Sequence, residues 1–169
     1  IIGLLHSDDV FADNTVIEAV VDKMVLENVD GVYGNLVYVA KNNKNKVMRT
    51  WISSQFSPEK LHMGWMPPHP TLFLKESWYN RLGGFDDSYR ISADYKFILQ
   101  LFSSEGFSVA HLSRVLTVMS AGGVSNNSFK NIICKMKEDW SALEVISPDP
   151  LPKCMTLVMK NLSKIKQLF

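Results

Sequence analysis

Ile1-Ile2-Gly3-Leu4-Leu5-His6-Ser7-Asp8-Asp9 opens the chain, and its reading decides the fold. An apolar run passes without a break into polar residues, the last two of them adjacent carboxylic acids. That pattern predicts a buried strand delivering Asp8 and Asp9 to its C-terminal end. Ligands of open α/β sheets bind outside the carboxyl ends of the strands, so the acidic pair is the first candidate for chemistry. A domain that opens on a buried central strand also reads as the later portion of something larger, so the chain is expected to be a truncated fragment.

The bulk of the sequence suits one globular domain. It has 169 residues, 46% of them hydrophobic and 21% charged, enough apolar material for a core. A formal net charge of +1 gives no bulk electrostatic reason to expect a nucleic-acid partner. No apolar stretch approaches the ~20 residues of a membrane span. Cys134 and Cys154 stand in no pairing or metal motif, which predicts free thiols and a cytoplasmic location.

Beyond the acidic pair, Asp13-Asn14-Thr15 supplies helix-starting chemistry, and apolar residues from Val16 to Val25 recur with helical period, predicting a helix over 14–28. Val32 to Ala40 reads as a strand, 41–46 as a hairpin turn and 47–52 as the return strand. Pro58 marks a short helix. Gly64-Trp65-Met66-Pro67-Pro68-His69-Pro70 cannot be helical. A short strand over 71–74, a helix over 75–82 and a Gly83-Gly84-Phe85-Asp86 turn follow. A strong helix opens at Asp94, two strands are expected over 107–111 and 115–119, and a further helix over 128–146. Pro148, Pro150 and Pro152 suggest a stiff linker, and 153–169 a basic amphipathic helix. The expected division is therefore 1–146 and 147–169.

Adjacent acids after a strand suit Mg²⁺ or Mn²⁺, which take one or two protein carboxylates plus substrate phosphates. A capping Asp with a solvated neighbour has the same appearance. Asp94 is either a helix cap favoured by the dipole or a general base for a hydroxyl nucleophile. His69 is held between prolines and either lines a ligand pocket or bonds backbone. His6 adjoins the acids. Trp65 and Trp78 offer apolar ring faces to sugars, with core packing favoured for Trp78. His111 reads as a core or capping residue.

Taken in order, Ser7-Asp8-Asp9, His69-Pro70, Gly83-Gly84-Phe85-Asp86 and Ala93-Asp94-Tyr95 resemble the family 2 nucleotide-sugar glycosyltransferases over residues 1–125. The resemblance implies an α/β fold of the GT-A type, Rossmann-like with a mixed sheet, of which this chain is the C-terminal half. It implies a metal-dependent inverting hexosyltransferase of bacterial surface-polysaccharide synthesis. The nucleotide-sugar would be the donor and a glycan or lipid-linked hydroxyl the acceptor. By position, Asp9 would be the metal ligand, and Asp8, His69 and Trp65 would contact the nucleotide-sugar. Asp94 would be the catalytic base. Ala93 departs from the family's pattern, which often has an acid there. Gly122-Gly123-Val124-Ser125 resembles a mobile loop of polysaccharide-building members. The missing half would leave exposed strand edges, so homo-oligomers are expected and the fragment alone would be weak or inactive. Lys153, Lys160, Lys164 and Lys166 suggest peripheral contact with the inner face of an anionic membrane.

The competing reading is a catalytically silent glycan- or protein-binding module, which would have no need of both Asp9 and Asp94. A phosphohydrolase would be expected to show more metal ligands.

Overall fold

The computed structural model describes residues 1–121 and 129–165, with side chains through 163. Its elements run β1 (Ile2–Gly3), β2 (Val10–Phe11), α1 (Val16–Glu27), β3 (Gly31–Ala40), β4 (Asn43–Trp51), α2 (Glu59–His62), β5 (Phe73–Leu74), α3 (Glu76–Leu82), α4 (Ala93–Phe102), β6 (Val109–Ser120), α5 (Phe129–Ala142) and α6 (Pro150–Ile165). A 3₁₀ turn, His69–Thr71, precedes β5. The protein is α/β, with one mixed six-stranded sheet in the order β1-β5-β3-β6-β2 and β4 paired to the outer half of β3. β3 and β6 run parallel, and the other pairings are antiparallel.

Strand periodicity explains the layers. Val32 and Tyr33 point to opposite faces, as do Phe73 and Leu74. Val32 and Phe73 pack under α1 with Val16, Val20, Met24, Ala110 and Leu116. Tyr33 and Leu74 join a larger core with Trp78, Tyr95, Phe97, Ile98, Leu101 and Leu143 under α3, α4 and α5. Helices thus cover both faces, as a mixed sheet with a parallel centre requires.

Four expectations are corrected. The opening apolar run is not a buried central strand: β1 is two residues long and ends the sheet path, with Ile1 and Leu5 exposed. Its only strand partner among the described residues is the equally short β5, so one edge of β1 carries no ladder. The separate strands expected over 107–111 and 115–119 are one irregular strand, β6. It advances six residues, His111 to Thr117, while β3 advances three, Tyr33 to Leu36. Gly34 makes that close approach possible, because a Cβ there would lie 2.6 Å from Leu116 Cγ and 2.9 Å from Arg114 O.

The expected proline linker is in part helix. Pro150 and Pro152 occupy the first turn of α6, where a missing N–H costs no helical bond. The helix docks onto the domain: the Thr156 hydroxyl lies 2.7 Å from His62 O. Gly64, at φ +73°, leaves room for α6, since a Cβ would meet Lys160 N and Thr156 O at 2.7 Å. Two of the lysines assigned to a membrane surface turn inward instead. Lys153 pairs with Glu144 at 3.2 Å and Lys160 with Asp139 at 2.9 Å, both side chains at most 5% exposed. The Gly122-Gly123-Val124-Ser125 loop lies outside the described residues, as do the side chains of Lys164 and Lys166. No described helix is long and apolar enough to cross a membrane. Cys134 and Cys154 are free thiols.

Candidate functional site

The acidic turn sits at the C-terminal ends of the parallel pair β3 and β6. Asp9 N–H donates to His6 O at 3.1 Å, closing the turn His6-Ser7-Asp8-Asp9. The last residue of β6 then holds it: Ser120 N–H donates to Asp9 Oδ1 (3.3 Å) and Ser120 Oγ to Asp8 O (3.1 Å). Asp8 is exposed, whereas Asp9 is only 5% exposed and its Oδ2 is buried without a hydrogen-bond partner. Burial raises the Asp9 carboxyl above its ordinary range; Asp8 adds to this, while the Ser120 N–H, His6 and His69 oppose it.

His69 is carried by the 3₁₀ turn, which two buried threonines lock to the sheet. The Thr71 hydroxyl donates to Pro68 O (2.7 Å) and accepts the Gly34 N–H (3.2 Å). The Thr117 hydroxyl donates to Pro70 O (2.9 Å). His69 Nδ1 meets Asp94 Oδ2 at 3.1 Å, and its Nε2 lies 3.1 Å from His6 Nε2. His69 Nδ1–H donates to the carboxylate, and between the two Nε2 atoms the one that carries the proton donates to the other. Asp94, His69 and His6 thereby form one hydrogen-bonded line ending beside Asp9.

Asp94 stands in the first turn of α4. Burial would raise its carboxyl, but the bond and charge of His69, the Tyr95 N–H and the more distant Lys160 bring it below its ordinary value. It is therefore ionised at neutral pH, the state a general base needs. The N-terminus of α4 is itself clamped by α5. Glu138 accepts the N–H groups of Arg90 (2.9 Å), Ile91 (2.8 Å) and Ser92 (2.7 Å), and Asp139 accepts the Ser92 hydroxyl (2.7 Å). Asp139 in turn is held by Lys135 and Lys160. Tyr38, on β3, feels the charge of both Asp9 and Asp94; burial chiefly, and then those charges, raise its phenol against Arg49.

The fold thus gathers Asp8, Asp9, His6, His69 and Asp94. Trp65 is not among them. Its ring packs against Tyr33, Phe56 and Phe102, with centroids 5.6–5.7 Å away. Trp78 is core, at 7% exposure, and His111 stacks on Tyr33. Asp86 of the glycine turn is structural: Lys96 and Ser88 hold its carboxyl far below the usual range.

No family model and no curated protein matches the chain.

Among the described residues no three His, Cys, Asp or Glu side chains are arranged to hold a metal ion. A hard cation does not need three, since Mg²⁺ and Mn²⁺ take one or two carboxylates and complete their shell with water and substrate phosphates. The buried orphan Oδ2 of Asp9, with Asp8 beside it, fits that mode. Glu138, Asp139, Thr71, Thr117 and Lys160 were invisible as site supports in the sequence. Only the i, i+4 spacing of Lys135 and Asp139 hinted at an ion pair.

Proposed function

We propose that this protein is a GT-A-type, metal-dependent inverting glycosyltransferase that moves a sugar from a nucleotide-sugar to a glycan or lipid-linked hydroxyl. The observation that carries the reading is the convergence, from positions 85 residues apart, of a buried carboxylate with an unpartnered oxygen and an ionised carboxylate at a helix start, linked by the His69–His6 pair.

Each carboxylate has a separate task. Asp9, with Asp8, would hold the divalent cation, which when bound supplies positive charge against the diphosphate leaving group. Asp94 takes the proton from the acceptor hydroxyl. The acceptor oxygen then bonds to the anomeric carbon from the face opposite the leaving group, and the bond from that carbon to the diphosphate oxygen breaks. The nucleoside diphosphate departs, and the configuration inverts. His69 keeps the Asp94 oxygens oriented; its own orientation is fixed by the two threonine latches. The clamp of Glu138 on residues 90–92 sets where the base stands relative to the sheet.

The test is nucleotide release from UDP-, GDP- and dTDP-sugars with Mn²⁺ and candidate acceptors, using the full chain and its Asp9→Asn and Asp94→Asn variants. Release of one nucleotide that falls sharply in both variants is expected. Release indifferent to both variants overturns the transferase reading in favour of a silent binding module, which Ala93 in place of an acid already favours.

A further inference from the structure

The reaction above makes no use of one buried pair of charges. Lys160 on α6 and Asp139 on α5 are 3% and 4% exposed and meet at 2.9 Å. Taking both out of water costs about as much as their attraction returns, so apolar side chains of similar size would fasten α6 equally well. What an ion pair adds is direction, because it fixes where each polar atom must stand.

Those directions converge on the neighbours of Asp94. Asp139 Oδ1 accepts the Ser92 hydroxyl at 2.7 Å, two residues before the base, while Oδ2 faces Lys160 and Lys135. The Lys160 ammonium also lies 3.0 Å from the centre of the Tyr95 ring, a cation–π contact strengthened by the exclusion of water. Tyr95 follows Asp94 in the chain, and its N–H donates to the Asp94 carboxylate. One ammonium thus acts on both flanks of the base, on Ser92 through Asp139 and on Tyr95 directly.

The partner of the base is tied to the same point. Gly64 lies five residues before His69, and a Cβ on it would meet Lys160 Cβ at 2.6 Å and Lys160 N at 2.7 Å. One turn earlier, Thr156 bonds His62 O. The segment that leads to His69 and the helix start that carries Asp94 therefore rest on one stretch of α6.

We propose that Lys160 is a positioning residue, which grips Tyr95 and, through Asp139, Ser92, and so sets the reach of Asp94 toward His69 and the acceptor. Resting on the transferase reading, this makes α6 part of the catalytic unit. The other titratable groups that face Asp94 are His69 of the 3₁₀ turn and the Tyr38 phenol of β3.

The test compares Lys160→Met and Lys160→Gln with Lys153→Met in the full chain, each checked for fold by circular dichroism. Gln keeps a donor for Asp139 and carries the test if the Met variant fails to fold. Lys153 is the other buried lysine of α6, and its partners, Trp140 and Glu144, lie on α5 and the turn after it. Two NMR signals report on the base without substrate: the ¹³C titration of the Asp94 carboxyl and the His69 Nδ1–H, assigned with Asp94→Asn and His69→Gln. Both Lys160 variants should raise the Asp94 midpoint by about half a pH unit or more and weaken or shift the His69 signal. Lys153→Met should leave both as in the parent. Where transfer is measured, kcat should fall about tenfold with KM unchanged, and Lys160→Met should add nothing to Asp94→Asn.

A His69 signal untouched in both Lys160 variants, or equally disturbed by Lys153→Met, overturns the proposal. An Asp94 midpoint that moves without the His69 signal leaves Lys160 a distant charge and overturns the positioning role as well. Both signals disturbed, with nucleotide release indifferent to Asp94→Asn, overturns only the transferase reading. Release that requires Asp94, with both signals unmoved, overturns only the role of Lys160.

Discussion

Asp9→Asn is expected to stabilise the fold while abolishing activity. The Asp9 carboxyl is 5% exposed, with Oδ1 bonded to Ser120 N–H and Oδ2 orphaned. A buried polar group without a partner costs about 1–3 kcal/mol, and more when charged. Asn keeps an oxygen for the Ser120 N–H but puts a neutral amide where the orphan charge was. Its own unmet donors retain part of the cost, so the net gain is about 1 kcal/mol, which in a chain of this size raises Tm by roughly 2–4 °C. The pH dependence has a definite sign. The folded-state carboxyl titrates above its unfolded value of 3.8. The penalty is therefore absent below that value and develops as pH rises through the folded pKa. Melting curves by circular dichroism, in chelator, should show Asp9→Asn above the parent at pH 7 and level with it near pH 3. Adding Mn²⁺ at ~100 times its Kd should raise the parent by about 2.7 kcal/mol and leave the variant unchanged. A variant that melts below the parent at pH 7, or a difference that persists undiminished in acid, refutes the reasoning.

Other outcomes follow from the same geometry. Gly64→Ala places a Cβ 2.6 Å from Lys160 Cβ at φ +73°; left-handed strain and displacement of α6 should together cost about 2–4 kcal/mol in urea unfolding. Lys160→Met leaves Asp139 with Lys135 and Ser92 but removes a buried pair, and should lose up to ~3 kcal/mol by the same assay. His69→Gln should reduce kcat on the order of 10²-fold with KM little changed, and combined with Asp94→Asn it should do no worse than Asp94→Asn alone. Because Asp94 titrates below 3.8, the acid limb of kcat/KM in a pH series should lie below that value.

The sequence was most legible where one local rule acted alone. α1 and α4 follow from the period of their apolar residues, and β3 from its β-branched and aromatic run. Asp9, His69 and Asp94 were singled out from local context, and they do come together. What stayed hidden depends on long-range partners. Nothing within the first nine residues says that β1 will lie at a sheet edge, since its apolar composition is equally that of a central strand. Lys153 and Lys160 read as solvated charges because their acids, Glu144 and Asp139, lie nine and twenty-one residues away. The Glu138 clamp joins residues 46–48 positions apart, beyond any periodicity.

The irregular centre of β6 has a consequence for how this protein tolerates insertions and deletions. Its extra residues form a protrusion of the kind that commonly absorbs length changes. Here they set the phase of everything downstream: Val118 and Thr117 pair with β2, and Ser120 grips Asp9. Side chains alternate along a strand, so losing one residue over 112–114 would invert that alternation. Thr117 would leave Pro70 and Ser120 would leave the acidic turn, with every catalytic candidate still present in the sequence. A length change in this stretch is thus a frame error in three dimensions, silent to any inspection of site residues.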